Sequence, residues 1–425
     1  MRAISRYSAR MTPGSLIILM SSYLKGDLME GPEISEFEKD FAMYQELPYA
    51  VTTSYGRMAF YYILKALELP EGSEIIFPAL TFWVIPAMAK AAGLKPVFID
   101  IKPDTYNMDP GKIEGAISDK TRAIVPTHVY GHPCEMDEIM EIANRHDLIV
   151  IEDCAHAMGS TYKRRKVGTF GKAAFSSFQS LKSINCFGGG VAMTSDPEID
   201  RKVREMSYNE PFPSKSALFK KIFMSYLETK LLGPKAFFFS GYPILYAYSL
   251  SGDYNRATIK TWEKIRPLSP VPKGYSKRFT NIQAKFGIRG LEMLEHYNDL
   301  CRTNAREYDN ALKDIPAIML PRIIPDSVTN YYQYCIRVSD AYTLSQRAIR
   351  RRLDLCNLHI DVCPNLELFS ENYSSCPYAE SMKDTLQLPA YSDLKERDLR
   401  WIIREVRKLS EDLPPIDKEK YSSEK

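Results

Sequence analysis

Short apolar segments of strand length alternate with helical segments along the first two hundred residues of the 425-residue chain. Predicted strands occupy residues 49–54, 74–78, 96–100, 123–128, 148–152, 173–178 and 191–194. Predicted helices occupy residues 31–42, 58–67 and 135–145, and a further one ends at residue 91. This alternation with short connections predicts an α/β fold, in which a mostly parallel central sheet is covered by helices on both faces.

The length of the chain allows a large core and two domains. Beyond residue 272 the pattern changes to helices with single strands between them. Predicted helices occupy residues 274–297, 344–355 and 393–413, and a predicted strand occupies residues 330–338. We therefore expect a large domain over residues 1–272 and a smaller C-terminal α+β domain over residues 273–425, with a frayed charged tail from residue 414.

Residues 211–272 form an atypical hydrophobic insertion in the larger domain. Residues 220–232 are basic and amphipathic, and residues 236–250 carry no charged side chain. The uncharged run is just too short to span a bilayer, and Gly241 and Pro243 interrupt it. We favour burial or packing at a subunit interface; a lid over an apolar substrate and a peripheral membrane or lipid contact are the alternatives.

Acidic and basic residues are interspersed, and the formal net charge is +3. This balance predicts no nucleic-acid-binding surface. The eight cysteines are scattered without a CxxC pair, and the six histidines show no metal-ligand spacing. We interpret the chain as a cytoplasmic protein with reduced thiols and no metal site. The apolar run at residues 16–20 is too short for a convincing signal peptide.

Lys182 stands among small, apolar and hydroxyl side chains and is followed by the glycine run 188–190. A partly desolvated lysine has a lowered pKa and can attack an aldehyde to form a Schiff base. Ser177 and Ser180 can hydrogen-bond a phosphate, and the glycines allow close approach of backbone to a ligand. The alternative is a glycine-rich turn between two strands with an incidental lysine.

Asp153 follows a buried-type strand, at the position where ligands bind in α/β proteins. Pyridoxal 5'-phosphate requires a lysine for its aldehyde, an acid for its pyridinium nitrogen and a cradle for its phosphate. Lys182 and Asp153 suit the first two roles, because an ionised Asp153 keeps the ring nitrogen protonated. The alternative for Asp153 is a helix N-cap.

A strand, a glycine and a helix follow one another at residues 49–67, which is the geometry that binds phosphate. Arg57, next to Gly56, is unfavourable for the helix dipole unless it pairs with an anion. An anionic ligand and a salt bridge to a nearby acid both explain it. Phe82 and Trp83 stand at another strand-to-helix junction and either stack on a flat ring or belong to the core.

Several motifs stand in the order in which they occur in one enzyme family. They are Ser54-Tyr-Gly-Arg-Met-Ala59, Phe77-Pro-Ala-Leu-Thr-Phe82, Thr127-His-Val-Tyr-Gly-His132, Glu152-Asp-Cys-Ala-His-Ala-Met-Gly159, Ser177-Phe-Gln-Ser-Leu-Lys182, Gly274-Tyr-Ser-Lys-Arg-Phe-Thr-Asn and Leu386-Gln-Leu-Pro-Ala-Tyr-Ser392. Over about residues 26–409, apart from the insertion, the chain resembles pyridoxal-phosphate-dependent sugar aminotransferases of the DegT/DnrJ/StrS type, which have the fold-type I architecture.

The resemblance implies a role for each matching position. Lys182 would carry the cofactor and move the proton, and Asp153 would pair with the pyridinium nitrogen. The other cofactor-binding positions would be Phe82 on the ring face, His156 on the oxygen side, and Gly56, Arg57 and Ser177 around the phosphate. Ser276 stands where many relatives have an Asn that reaches the partner subunit's phosphate. Arg57 and Gly189 also depart from the family, which usually has Thr and often an acid there.

The resemblance also implies an activity. An amino acid, for which we expect L-glutamate, would donate its amino group to a keto-sugar, normally nucleotide-linked, by a ping-pong mechanism in sugar or polysaccharide biosynthesis. The protein would be a homodimer with active sites at the interface. The alternatives are a hydrophobic or lipid-linked acceptor, dehydration, and a non-catalytic sensory or regulatory relative. Lys182 argues against dehydration, because histidine replaces the lysine in the dehydratases.

Overall fold

The computed structural model describes residues 2–250, 263–357, 360–372 and 374–421. Its first nine strands are β1 (Tyr49–Thr53), β2 (Glu74–Pro78), β3 (Lys95–Ile99), β4 (Thr121–Ile124), β5 (Ile149–Asp153), β6 (Thr161–Tyr162), β7 (Arg165–Lys166), β8 (Ala173–Ser177) and β9 (Gly190–Thr194). Seven of them form one sheet in the order β1-β9-β8-β5-β4-β2-β3. Neighbours from β8 to β3 are parallel, whereas β9 is antiparallel to both β1 and β8. The prediction of a mostly parallel sheet is confirmed.

Helices cover this sheet. They are α1 (Ser15–Lys25), α2 (Glu33–Gln45), α3 (Gly56–Leu67), α4 (Val84–Ala91), α5 (Met136–Arg145) and α6 (Pro197–Tyr208). The start of α6 shows why sequence sets these bounds: the Asp196 side chain accepts the N–H groups of Glu198 and Ile199, and Pro197 begins the helix. The core below α3 is aromatic, and the rings of Phe60 and Phe175 lie 5.0 Å apart.

A second sheet follows, which we call with its helices the C-terminal layer. Its strands are β10 (Ile318–Met319), β12 (Tyr334–Val338), β13 (Cys356–Asn357) and β14 (Thr385–Leu388), and its helices are α9 (Asn281–Leu312), α10 (Ala341–Arg350), α11 (Pro377–Glu380) and α12 (Glu396–Ser410). The strand order is β10-β12-β14-β13, and the short β11 (Ser327–Val328) pairs with β6 instead. The domain boundary between residues 272 and 273 stays a prediction.

The three predicted helices of this layer, and its predicted strand, differ from the structure at their ends. Strand β12 begins at Tyr334, not residue 330, and α12 spans Glu396–Ser410, not residues 393–413. Helix α9 continues to Leu312, not residue 297, and begins at Asn281, not residue 274, because Thr280 and Gln283 form a capping box there. Helix α10 ends at Arg350, not residue 355, because Leu353 pairs in parallel with Ile4. The frayed tail is also partly wrong, since Tyr421 is buried with the Arg337 guanidinium 4.5 Å from its ring centre. Residues 422–425 lie outside the described part.

The N-terminal segment, residues 2–10, lies along the C-terminal layer. Besides the pairing of Ile4 with Leu353, Arg6 forms a buried ion pair with Asp354 at 2.9 Å. Arg10 donates a hydrogen bond of 2.8 Å to the Asn298 Oδ1 of α9. The beginning of the chain is thus fixed to residues near its end.

The insertion forms two helices, α7 (Lys215–Leu232) and α8 (Gly241–Leu250), and residues 251–262 lie outside the described part. The prediction of burial is wrong for much of it within this chain: Phe237 is buried, but Phe239 is 81% and Leu250 65% exposed. The predicted amphipathic pattern of residues 220–232 is also wrong, because apolar side chains point to both covered and open sides of α7. Among the described helices, none has the length and apolar content required to cross a bilayer.

Seven of the eight cysteines are free thiols, and all seven are buried. The eighth, Cys356, has a side chain outside the described residues. The interpretation of the seven as reduced thiols therefore agrees with the structure.

Candidate active site

Lys182 lies in the loop between β8 and β9, where its N–H group donates a 2.8 Å hydrogen bond to the Gln179 carbonyl. Its ammonium is 5.0 Å from the centre of the Tyr332 ring. Burial lowers the pKa of Lys182 to about 8, and the negative charge of Asp153 opposes this effect. The amine is therefore more readily neutral than that of an ordinary lysine.

Asp153 is the last residue of β5 and is buried. Burial raises the pKa of its carboxyl group, while the Ala155 N–H hydrogen bond and the charge of Lys182 act in the opposite direction. The N–H···Oδ1 distance from Ala155 is 3.0 Å. The helix N-cap alternative for Asp153 is wrong, because a turn follows β5 and the Ala155 N–H belongs to that turn. The role of Asp153 toward a pyridinium nitrogen stays a prediction.

His156 stacks on Tyr332, with ring centres 4.5 Å apart and an angle of 21° between the rings. Its Nδ1 accepts the Tyr130 N–H at 3.4 Å. Burial, followed by the charge of Lys182, holds the pKa of His156 well below its usual range, so the ring is neutral at pH 7. Because Nδ1 is an acceptor, Nε2 carries the proton.

Tyr332 was not identified from the sequence. It precedes β12 and is held by Asn330, whose Oδ1 accepts the Tyr332 N–H at 2.9 Å. The Asn330 amide also donates to the His156 carbonyl at 3.0 Å and to the Met158 carbonyl at 2.9 Å. This asparagine therefore joins the C-terminal layer to the loop that carries His156. The only available signal was an Asn-Tyr-Tyr sequence before a strand, which does not indicate a site.

Glu152, which precedes Asp153 on β5, has a structural role, as its hydrogen-bond partners show. Its carboxylate accepts the N–H groups of Gly168, Phe170 and Gly171 at 2.7 to 2.8 Å and faces His128 Nε2 at 3.1 Å. The Cys134 N–H donates to His128 Nδ1, so the Nε2 proton points at Glu152. The ligand atoms of His128, Glu152 and Cys154 lie close enough to one another that they could hold one metal ion. Their lone pairs are already engaged, and burial raises the pKa of the Cys154 thiol, so this donor set does not suit a metal.

Gly56 begins α3 and is pressed against the end of β8. A Cβ atom at Gly56 would lie 2.8 Å from the Ser176 carbonyl oxygen and 3.0 Å from the Ser177 Cβ. Tyr55, just before it, pairs with Gly189, which has the positive φ of 104° that glycine adopts readily. The first N–H groups of a helix have no intrahelical acceptor. The predicted phosphate cradle of Gly56 and Ser177 therefore lies at the start of α3, and the binding of an anion there stays a prediction.

Arg57 is turned to a different partner. Its guanidinium forms an ion pair with Glu263, donates to the Tyr275 hydroxyl at 2.6 Å and lies 5.8 Å from the centre of the Phe82 ring. Of the two explanations for Arg57, the structure contains the salt bridge. Phe82 is half-buried, whereas its neighbour Trp83 is part of the core.

Ser276 follows Tyr275 in the loop before α9. The Tyr275 carbonyl accepts a hydrogen bond from the Ser54 hydroxyl, which fixes this loop to the end of β1. Ser276 thus lies one residue from the side chain that contacts Arg57, and its predicted contact with a partner subunit stays a prediction.

Lys221 of α7 was also missed. Its ammonium lies 5.2 Å from the centre of the Tyr55 ring, and a Cβ atom on Gly188 would lie 2.9 Å from it. Both neighbours flank the start of α3. Among the described residues, no carboxylate lies within 4.0 Å of this ammonium. The insertion therefore places an unpaired positive charge beside the cradle.

A cavity next to Lys182 is lined by residues of the N-terminal segment and the C-terminal layer. Arg10, Leu181, Tyr332, Gln333 and Gln387 are among its walls. Arg10 donates to the neutral Asn298, and no carboxylate in the described part of the chain lies within 4.0 Å of its guanidinium. An uncompensated positive charge at this place suits an anionic substrate.

Comparisons with known proteins identify the family of the chain. The profile of the DegT/DnrJ/EryC1/StrS aminotransferase family matches residues 19–226 and 242–407, leaving out part of the insertion. The chain is 29% identical over 393 residues to the spore coat polysaccharide biosynthesis protein SpsC of Bacillus subtilis (strain 168), with 90% of each chain covered. It is 28% identical over 391 residues to the dTDP-3-amino-3,4,6-trideoxy-alpha-D-glucose transaminase of Streptomyces venezuelae, with 91% of this chain and 89% of that protein covered.

Among solved structures, S. venezuelae DesV in complex with a ketimine intermediate superimposes with a TM-score of 0.77. The sequence identity is 26%, and the alignment covers 97% of this chain and 100% of DesV. The predicted fold-type I architecture is confirmed by this similarity and by the order of the strands.

Proposed function

Because the chain belongs to the DegT/DnrJ/EryC1/StrS aminotransferase family, we propose that it transfers an amino group from L-glutamate to a nucleotide-linked keto-sugar. The observation that carries the proposal is Lys182, a half-buried lysine whose pKa is lowered to about 8 by desolvation, which lies near Asp153 and the Tyr332 ring. The transaminase from S. venezuelae, whose name specifies a dTDP-linked amino sugar, supports the class of acceptor.

Pyridoxal 5'-phosphate is the cofactor that suits these residues, and when bound it supplies an electron sink for the amino-acid carbon. Lys182 would hold its aldehyde, and Asp153 would keep a proton on its ring nitrogen. His156 with its neutral ring would lie at its oxygen side and Phe82 at its face. The cradle of Gly56 and Ser177 suits the phosphate, because the absence of a Cβ at Gly56 lets the start of α3 pack directly on the end of β8 and so brings the first N–H groups of the helix close to Ser177.

In the reaction Lys182 would be the proton carrier. Its Nζ, when neutral, would accept the proton from the substrate Cα and, when charged, would return it at the carbon of the cofactor aldehyde. A lysine with a pKa of about 8 is suited to this work, since both protonation states are accessible near neutral pH. The charge of Asp153 acts on Lys182 and favours its protonated form.

We infer that Lys221, a lysine of the insertion, balances the negative charge of the cofactor phosphate. Lys221 has no carboxylate partner among the residues that the structure describes, and it lies beside Tyr55 and Gly188, at the start of α3. Arg57, at the position where the family usually has Thr, instead supports Phe82 through its ion pair with Glu263. A phosphate held only by helix N–H groups and hydroxyls would lack a balancing charge, which Lys221 supplies.

Arg10 supports the proposed substrates. Both the α-carboxylate of an amino-acid donor and the diphosphate of a nucleotide-linked sugar are anions, and Arg10 lies in the cavity next to Lys182 without a carboxylate partner among the described residues. One cavity that serves donor and acceptor in turn agrees with a ping-pong order. Dehydration, a non-catalytic role and a lipid-linked acceptor are not favoured, since the lysine, the acid and the cradle are all present.

We further infer a homodimer with active sites at the interface. Exposed apolar side chains follow α1 and α7, which contact each other: Ile17 is 75% and Leu24 81% exposed, and Met224 and Leu231 are exposed too. A single apolar residue on a surface is ordinary, but a continuous face next to the cradle suits a second copy of the chain. The loop with Ser276 is then available to reach the partner's phosphate site.

An absorption spectrum tests the function. Purified protein supplied with pyridoxal 5'-phosphate should absorb near the visible edge, and L-glutamate should convert this band to that of the amine form. Lys182→Ala should lose the band. A band that does not respond to L-glutamate contradicts the proposed donor, and no band contradicts the cofactor. Mass spectrometry with dTDP- and GDP-linked keto-sugars then identifies the acceptor. If none of these sugars is aminated, the proposed acceptor class is contradicted.

A further inference from the structure

A larger cavity, of about 900 Å³, lies on the C-terminal layer and shares no lining residue with the cavity beside Lys182. It is bounded by the end of α10, by α12 and by the start of the N-terminal segment. Seven arginines line it: Arg2, Arg350, Arg351, Arg352, Arg397, Arg400 and Arg404. We call it the arginine pocket.

The acids in the arginine pocket do not balance its arginines. Three acidic residues line it, namely Glu396, Asp398 and Glu405, so the lining carries an excess of four positive charges. Asp398 is paired with Arg2 at 2.6 Å, and Glu396 is paired with Arg400. In the part of the chain that the structure describes, Arg350, Arg351 and Arg404 have no carboxylate within 4.0 Å.

Helix stability does not explain this arrangement. Arg350 ends α10, where a cation favours the helix dipole. Arg397 and Arg400, however, lie at the beginning of α12, where a cation is unfavourable. Arg400 and Arg404 are also four residues apart on this helix, a spacing at which like charges repel. The cluster therefore costs the free protein stability that a bound anion would restore.

We propose that the arginine pocket binds a ligand carrying a diphosphate or a comparable cluster of phosphate charges. The planar guanidinium group matches phosphate with two parallel hydrogen bonds, and several such groups around one cavity favour a multiply charged anion over a single carboxylate. Trp401, which also lines the pocket, offers a flat apolar wall for the remainder of the ligand. The site is separate from the proposed catalytic site and does not depend on the proposed function.

Two sources share this chemistry. One is a soluble phosphorylated metabolite. The other is the headgroup of a phosphorylated lipid, because the insertion borders the pocket: the Arg352 guanidinium lies 5.6 Å from the centre of the Phe238 ring, and the next residue, Phe239, is largely exposed. In the second case Phe239 would contact the apolar part of the lipid.

Isothermal titration calorimetry with inorganic pyrophosphate tests the site. The pocket variant is Arg350→Gln/Arg404→Gln, and a charge-matched control is Arg201→Gln/Arg289→Gln, in which both arginines are exposed helical residues elsewhere. We expect saturable binding that the pocket variant weakens at least tenfold and the control leaves unchanged. Thermal melts show whether each variant is folded. Both double variants should fold, because the substituted side chains are exposed.

Absence of saturable binding to the wild type, or an equal loss in both double variants, overturns the proposal. So does a loss caused by Lys221→Ala with none in the pocket variant, because the ion would then bind at the start of α3. Failure of the catalytic proposal leaves the result unaffected, since the probe requires no cofactor chemistry.

Sedimentation with vesicles distinguishes the two sources. A lipid ligand is supported if three results occur together. The wild type binds phosphatidylcholine vesicles that contain phosphatidic acid but not vesicles of phosphatidylcholine alone. Pyrophosphate competes with this binding, and the pocket variant does not bind. Pyrophosphate binding without vesicle binding supports the site with a soluble ligand. Vesicle binding that the pocket variant retains overturns the lipid source.

Discussion

At the scale of single residues, the protonation of Lys182 governs how the protein takes up its cofactor. An amine attacks an aldehyde only when neutral, and burial lowers the pKa of Lys182 to about 8. Below that pH the neutral fraction falls about tenfold per pH unit. We expect the rate of cofactor capture, followed by stopped-flow absorbance, to rise with pH up to about 8 and then level off. A rate that continues to rise to pH 10 would show an ordinary lysine.

Lys221 offers a second test at this scale. If its ammonium balances the cofactor phosphate, Lys221→Ala should raise the dissociation constant for pyridoxal 5'-phosphate by roughly tenfold to a hundredfold, as for the loss of a charged hydrogen bond. The affinity for pyridoxal, which lacks the phosphate, should not change. Fluorescence titration measures both. Lys220→Ala is the matched control, because Lys220 is the exposed neighbour on the same helix. Equal weakening of both ligands would exclude a role toward the phosphate.

The sequence was informative for some of these residues and not for others. Lys182 and Asp153 stand in short motifs whose chemistry and position after strands can be recognised locally. Lys221, Tyr332 and Arg10 are remote from those motifs in sequence, and only tertiary packing brings them to the site. No local periodicity records which of the lysines in α7 faces the start of α3, because that depends on how the helix packs against α1.

At the scale of elements, β5 shows how one strand separates stability from chemistry. Adjacent side chains on a strand point to opposite faces. Glu152 accepts three backbone N–H groups and contacts His128, whereas Asp153 acts on Lys182. The same strand end therefore contributes a structural acid and a proposed catalytic acid.

Substitutions of Glu152 and Asp153 should separate the structural role from the proposed catalytic role. Glu152→Gln should lower the free energy of unfolding by about 3 kcal/mol, because its amide would face N–H groups that now have a carboxylate acceptor. Asp153→Asn should change it much less and should prevent the spectral response to L-glutamate. Urea denaturation and absorbance measure the two effects. A large stability loss for Asp153→Asn with an intact spectral response would reverse the assignment.

The bounds of strands and helices were predicted well where the local sequence pattern determines them. They were predicted less well where pairing with a segment far away in the sequence determines them. Strand β2 matches the predicted residues at both ends, since a continuous buried apolar run defines it. Helix α10 ends five residues early because residues 352–354 pair with the N-terminal segment. The exposed faces of α7 and α8 could not be predicted either, because an uncharged run has the same composition in a core, at an interface or on a surface.

At the scale of the whole molecule, the apolar face of α1 and α7 predicts the oligomeric state. Ile17→Glu/Leu24→Glu places two charges in the proposed interface and should convert a dimer into a monomer in light scattering coupled to size exclusion. The monomer should also retain the cofactor less well, since the partner completes the site. Ile323→Glu/Val328→Glu alters exposed apolar residues elsewhere and should remain dimeric. A dimer that survives the first pair of substitutions would locate the interface on another face.

The attachment of the N-terminal segment has a consequence for the order in which the protein is completed during synthesis. Arg6 and Asp354, which pair through a buried ion pair, are 348 residues apart. Residues 2–10 must therefore wait until residue 354 has left the ribosome before they can pack. Since Arg10 belongs to the same segment, the cavity beside Lys182 acquires this wall only after that point of translation. A nascent chain can assemble the parallel sheet earlier, but this cavity closes only once the strands and helices of the C-terminal layer up to residue 354 have been made.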